Sequence, residues 1–191
     1  MSLRPSALGR QTSAAVKMLL VLTLVLGIGY PALVWSVGRL ALPGQAGGSL
    51  VSASGRVVGS SLIGQQWNGP QWFHGRPSAS DYAGNTSGGS NLPPGDPRLT
   101  RQVQARRAAA GPIGNQLPPD ALTASASGLD PHISPAYARL QIERVAAARH
   151  LPIKVVRHLV DAHTQPRTLG FIGEPRVNVL ELNLALEHQA R

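Results

Sequence analysis

The chain has 191 residues, no cysteine, and a formal net charge of +9 from 18 Lys and Arg against nine Asp and Glu. Without thiols it forms no disulfide, thiolate metal site, iron–sulfur cluster or cysteine nucleophile. Setting aside an apolar stretch near the N-terminus leaves roughly 150 residues, which is one ordinary domain with a single core. All nine acidic residues follow that stretch, so the domain keeps a formal charge of +6. Its arginines are scattered singly or in pairs, which reads as a solvated basic surface rather than a phosphate-binding stripe.

Met18 to Val37, MLLVLTLVLGIGYPALVWSV, contains no charged residue. At about 1.5 Å per residue it crosses the ~30 Å hydrocarbon core of a bilayer once as a helix. Lys17 and Arg39 flank it and Trp35 lies near its end, where basic and aromatic side chains reach the headgroups. The run exceeds the ~7–15 residues of a signal-peptide core, and no small-x-small cleavage site follows it, so it reads as a retained anchor. Arg4, Arg10 and Lys17 precede it without any acid, which predicts a cytoplasmic N-terminus. The expected organisation is a cytoplasmic tail over 1–15, a transmembrane helix over 16–38 and an extracytoplasmic domain over 39–191. Gly27, Gly29 and Pro31 mark either a close helix contact with a kink or the ordinary Gly and Pro content of membrane helices.

The small-residue stretch from Pro43 to Ser54 reads as a linker or the approach to the domain. Arg56 to Ile63 suits a strand or strand-turn, and Trp72-Phe73-His74 is a second short apolar piece. From Gly75 to Pro97 the chain is dense in Gly, Pro, Ser and Asn and reads as a long loop, functional or disordered. Leu99 to Ala110 has helical composition, ended by Gly111 and Pro112. Ser134 as N-cap and Pro135 as first residue open a helix whose Ala138, Ile142, Val145 and Ala146 share one face. Pro152 opens a second amphipathic helix with Val156, Leu159, Val160 and His163 on one side. The pair reads as a core αα-hairpin rather than a DNA-reading motif, because the domain is expected outside the cytoplasm. Asn178 and Glu181 resemble a capping box for a C-terminal helix through Leu186, although the LELNLALE alternation also fits a strand. The predicted fold class is therefore α+β: one N-terminal transmembrane helix followed by a single mixed, helix-rich extracytoplasmic domain with a few short strands.

Asp130, His132 and Ser134 are the residue types of a nucleophilic triad. Alternating neighbours in a proline-bracketed turn do not converge as such a triad must, and no G-x-S-x-G elbow is present, so capping and turn chemistry account for them. The six histidines show no metal-ligand spacing; His158 and His163 stand five apart and do not stack on one helix face. No phosphate loop exists around either lysine, Lys17 or Lys154. Ser87-Gly88-Gly89-Ser90-Asn91 offers a turn whose backbone N–H groups suit an anion.

Several segments together resemble the C subunit family (KdpC) of the Kdp potassium-transporting ATPase, a bacterial inner-membrane complex. They are Gly64-Gln65, Arg76-Pro77-Ser78-Ala79, Ser87-Gly88-Gly89-Ser90-Asn91-Leu92, Thr123-Ala124-Ser125, Ser127 through Pro135 (SGLDPHISP), Arg144-Val145-Ala146, Leu169-Gly170 and Gly173 through Leu180 (GEPRVNVL). After SGGSNL this chain continues Pro93-Pro94-Gly95-Asp96-Pro97, which departs from the family's usual run. The resemblance implies a non-catalytic accessory subunit in the inner membrane beside a channel-like potassium-translocating subunit, an ATP-hydrolysing P-type subunit and a small single-helix subunit. It implies support of assembly with the domain covering the outer side of the channel-like subunit, or alternatively a chaperone-like rise in ATP affinity through the SGGSN loop. No cofactor or metal is expected on this chain itself; ATP and K+ act in the complex, and no nucleic acid is expected. The motif positions carried over as nucleotide- or partner-binding are Gln65, Arg76, Ser78, Ser87, Gly88, Gly89, Ser90, Asn91, Asp130, His132, Ser134, Arg144, Glu174, Arg176 and Asn178. Gly27, Gly29 and Pro31 are the expected transmembrane packing positions.

Overall fold

In the computed structural model, residues 5–189 are described, so the outermost ends of the expected tail and domain lie outside them. The chain divides into two compact units, residues 1–49 and 50–191.

The first unit consists of α1 (Pro5–Leu24), a π-helical turn (Val25–Gly29), α2 (Tyr30–Ala41) and the short α3 (Pro43–Ala46). Among the described residues, Leu8–Ala41 is the one helix long and apolar enough to cross a membrane. The π turn has a local cause. Pro31 lacks an N–H, and its ring collides with the carbonyl four residues back, that of Gly27; widening the preceding turn removes the collision. The Tyr30 N–H accordingly donates to the Val25 carbonyl, five residues back. A Cβ at Gly27 or Gly29 would meet only Thr23 Cγ2 at 3.8 Å or the Leu24 carbonyl at 3.6 Å. These are ordinary contacts, so the helix itself does not require either glycine. The stretch 43–54 is not a plain linker: it holds α3 and then a strand, because Leu50 and Val51 begin an alternating run that finds a partner.

The second unit opens with the antiparallel hairpin β1 (Leu50–Ala53) and β2 (Arg56–Ser60). Ser54 and Gly55 turn it, both at positive φ (50° and 77°), as the twist of a two-residue hairpin loop demands. A register shift between Val51 and Ser52 leaves the Val58 carbonyl outside the ladder, where Gln65 Nε2 donates to it at 2.8 Å. α4 (Pro97–Ala109) starts at Asp96, whose carboxylate accepts from the Arg98 N–H at 2.7 Å. A 3-10 turn (Gly111–Gln116) and the short α5 (Pro119–Leu122) follow. β3 (His132–Ile133) leads into α6 (Pro135–Arg149), then come α7 (Ile153–Ala162), β4 (Thr164–Gln165), β5 (Arg176–Asn178) and α8 (Val179–Gln189). The three short strands form an antiparallel sheet in the order β3-β5-β4.

The αα-hairpin forms because His150 takes the left-handed conformation (φ 55°) and its N–H closes onto Ala146 and Ala147. Pro152 is the N-cap of α7 rather than its first residue, and His163 is the C-cap, with Nδ1 2.8 Å from the Leu159 carbonyl. The ambiguous LELNLALE segment is helical. Asn178 Oδ1 accepts from the Leu180 and Glu181 N–H groups at 3.1 and 3.3 Å, starting α8 where β5 ends. The core lies between these helices and the sheet: Ile142 and Val145 of α6, Val156 and Val160 of α7, Val177 of β5, Leu182 and Leu186 of α8, and Phe73 from the loop segment.

Candidate functional site

Phe73 is fully buried although its segment forms no strand. Two amide side chains take the place of a partner strand. Asn183 of α8 accepts from the Phe73 N–H at 2.9 Å and donates to its carbonyl at 3.0 Å. Gln141 of α6 treats His74 the same way, at 2.7 and 3.1 Å. Arg144, one helical turn further on, donates to the carbonyls of Pro70 and Trp72 and to Gln141 Oε1. Arg149 donates to the Gln71 carbonyl and lies 4.2 Å over the Trp72 ring, which in turn packs against Trp67 at 4.9 Å. These contacts satisfy the buried peptide groups that an irregular segment would otherwise leave unpaired. His74 is pushed below its ordinary value chiefly by burial, which disfavours its charged form.

Asp130 is the second centre. Arg76 Nη1 lies 3.1 Å from one carboxylate oxygen and the His132 N–H donates to the other at 3.0 Å. Burial alone would raise its pKa, but the hydrogen bonds from His132 and Arg76 outweigh burial and hold the carboxyl below its ordinary range. The hydroxyl of Tyr82 donates to the Arg76 carbonyl. Burial first, and the neighbouring Asp130 charge second, push Tyr82 up to about 12. Asp130, His132 and Ser134 do not form a triad. Ser134 turns away to Asp120, whose carboxylate accepts both its N–H (2.7 Å) and its hydroxyl (3.0 Å), while Ser134 Oγ caps α6 by accepting from the Tyr137 N–H.

The loop 75–97 is pinned to the segment 125–130. Ser78 Oγ donates to the Gly128 carbonyl at 2.7 Å and accepts from the Tyr82 N–H at 3.0 Å. The Ser125 N–H donates to the Pro77 carbonyl, and the Gly64 N–H to that of Leu129. Within the SGGSN turn, the Gly88 N–H and the Ser87 hydroxyl both donate to the Ser127 carbonyl, at 2.8 and 3.2 Å. A Cβ at Gly89 would come within 3.0 Å of the Ala126 carbonyl. Gly128 sits at φ +70°, where a Cβ would strike the Ser80 hydroxyl and the Gly88 carbonyl. Asn91 is also left-handed, at φ 51°.

Three cavities adjoin these contacts. Arg76, Asp130, His132, Ser134, Glu174 and Arg176 share a shallow cavity of about 480 Å³. Gln65, Arg76 and Arg144 border a larger one of about 600 Å³. Ser78, Gly89 and Ser90 border a third of about 490 Å³ with Arg98 and Arg106. The motif positions thus lie on one unit, but Ser87, Gly88, Asn91 and Asn178 border none of the three cavities; Asn178 instead ties down the chain just after β2 by donating to the Ser61 carbonyl at 2.8 Å. Glu174 also pairs with Arg167 at 2.7 Å. Gly27, Gly29 and Pro31 lie in the first unit, at and just after the π turn. Among the described residues, no group of three or more His, Asp or Glu is placed to hold a metal ion.

Sequence reasoning missed Asn183, Gln141 and Asp120. The first two carried a readable signal: each is an amide on the apolar stripe of its helix, where burial obliges it to find partners. Asp120 carried none, since its partner Ser134 is 14 residues away across an irregular segment.

The family model described as "KdpC: K+-transporting ATPase, c chain" matches residues 12–188. The potassium-transporting ATPase KdpC subunit of Ralstonia nicotianae is 53% identical over 180 residues, 91% of this chain and 88% of that protein. The KdpC subunit of Kineococcus radiotolerans is 52% identical over the full length of both chains. That of Streptomyces coelicolor is 48% identical over 93% of this chain and 92% of its own. By the family model over residues 12–188 and by relatives about half identical over nearly the whole chain, the chain belongs to the KdpC family, an accessory rather than catalytic subunit of the potassium-transporting ATPase.

Proposed function

We propose that this chain stabilises the assembly of an ATP-driven, high-affinity potassium uptake complex and covers the outer side of its channel-like subunit. In this reading the Leu8–Ala41 helix anchors it in the bacterial inner membrane with the N-terminus in the cytoplasm and residues 50–191 outside. Its partners are the channel-like subunit, the ATP-hydrolysing subunit and the small single-helix subunit. One observation carries the scaffold role. The SGGSN turn, the motif best suited to hold a phosphate, donates its Gly88 N–H and Ser87 hydroxyl to Ser127 and so spends them on the fold. The positive charge before the span supports the orientation.

A second reading has one observation in its favour: Gly89 and Ser90 border a cavity with Arg98 and Arg106, which offers a nucleotide phosphate two cations. In it the chain raises the ATP affinity of the hydrolysing subunit through that loop.

Protease accessibility of residues 50–191 in cells with a permeabilised outer membrane separates the two. Cleavage from outside supports the scaffold, because a domain there has no contact with cytoplasmic ATP; cleavage only from the cytoplasmic side sinks it. Gly128→Ala, which pries the loop from its support, is expected to lower recovery of the detergent-extracted complex several-fold while leaving the ATP affinity of the recovered complex within about twofold. A shift in ATP affinity alone would favour the nucleotide reading.

A further inference from the structure

The cavity of about 600 Å³ shares Arg106 with the smaller cavity beside Gly89 and Ser90, but the rest of its lining is used by neither role above. Three of its residues are arginines, Arg76, Arg106 and Arg144, and none is acidic. Arg76 has one carboxylate partner, Asp130, which lies outside the lining. Arg106 donates to the Leu122 carbonyl and Arg144 to carbonyl oxygens of Pro70, Trp72 and Gln141, so neither guanidinium has a counter-charge in an ion pair among the described residues. Burial lowers the pKa of both, the direction expected when a cation is desolvated without an anion.

Two further donors point the same way. Trp67 Nε1 and Arg76 Nε are buried without an acceptor among the described residues, and both residues border this cavity. Buried donors in native proteins are almost always paired, so the two call for an acceptor-bearing group. The wall formed by the end of α4 and the 3-10 turn is different. Ala109, Ala110, Ile113 and Leu117 line it with hydrocarbon, and Ile113 is 38% exposed. A volume of this size takes a small molecule or one lipid headgroup with the start of its chain.

We propose that this cavity binds an amphiphilic oxyanion, its carboxylate or phosphate held by the guanidinium groups of Arg76, Arg106 and Arg144 and its hydrocarbon laid along Ala109, Ile113 and Leu117. The charged group answers the surplus cations, since guanidinium forks match carboxylate and phosphate oxygens in pairs. The hydrocarbon wall separates this ligand from a simple ion. Membrane phospholipid and a soluble amphiphile share this chemistry. The site does not rest on the assembly role, and no residue of the SGGSN turn lines it.

The test uses the full chain in phosphatidylcholine nanodiscs, titrated with hexyl phosphate, inorganic phosphate and hexanol and followed by tryptophan fluorescence. Hexyl phosphate is expected to bind at least tenfold more tightly than either of the others. Equal binding of hexanol would remove the anion from the proposal, and equal binding of inorganic phosphate would remove the apolar wall; either overturns it. Arg106→Gln is expected to weaken hexyl phosphate at least fivefold with unchanged circular dichroism, and unchanged affinity overturns the site. Ile113→Glu, at a half-exposed position that tolerates the change, supplies an internal carboxylate and is expected to abolish binding. If that variant binds like the parent, the cavity is not the site. With the site supported, weaker hexyl phosphate binding to the parent chain in phosphatidylglycerol than in phosphatidylcholine nanodiscs, as competition for one site requires, assigns the anion to lipid; equal binding assigns it to a soluble amphiphile. Because hexyl phosphate carries no base, these outcomes stand apart from nucleotide binding.

Discussion

The helices α6, α7 and α8 and the segment 61–96 pack against each other but are held by different forces. The helices bury aliphatic side chains: Val145, Val156, Val160, Leu182 and Leu186 are each fully or almost fully buried. The segment buries one large side chain completely, Phe73, and is otherwise held by hydrogen bonds, from helix side chains to its backbone and from its own backbone and Ser78 to the segment 125–130. Apolar burial is non-directional and forgives small displacements, whereas a hydrogen bond fixes distance and angle. The helical layer therefore supplies stability and the clamped segment supplies shape.

Substitutions can break this contrast, the strongest first. Leu182→Ala removes a fully buried aliphatic group and is expected to cost about 2–5 kcal/mol, lowering protection of all three helices together in hydrogen exchange. Asn183→Ala leaves both peptide groups of Phe73 without partners and is expected to cost ~2–4 kcal/mol. Its exchange signature is faster loss of protection around 71–77 than in α7; a uniform loss would show that the segment and helices are one cooperative layer. Asp130→Asn is expected to cost roughly 1–2 kcal/mol near neutral pH, since the pair with Arg76 is partly exposed. Asp130 is depressed in the folded chain, so its contribution is complete above the ordinary Asp value and lost as pH falls through the lower folded value. Acid titration of stability should therefore lose that step in Asp130→Asn, and an unchanged acid profile would remove Asp130 from the account. Ser134→Ala deletes the cap of α6 and is expected to cost about 1 kcal/mol, read as a small shift in melting midpoint.

The helical layer was the legible part. Ser134-Pro135 announced the start of α6, its aliphatic spacing gave the buried face, and Asn178 announced α8, because caps and periodicity are local properties. The β1–β2 hairpin was half legible: β2 showed as an apolar run, but β1 lay in small residues whose strand character depends on pairing. β3, β4 and β5 were not, being two or three residues long and defined only by one another. The motif positions were readable as text, yet their surroundings were not. Ser78 meets Gly128 across 50 residues and Asn183 meets Phe73 across 110, distances over which no pattern in a single sequence reports contact.

The π turn at Val25–Gly29 has a consequence for the long apolar helix itself. It inserts one residue into the helical repeat, and one residue is about 100° of rotation about the axis. Side chains of α1 and α2 that an unbroken helix would align are thus out of phase. A lateral stripe facing one azimuth before Val25 faces another after Gly29, so the two halves of this candidate span present their surfaces in two directions about one axis.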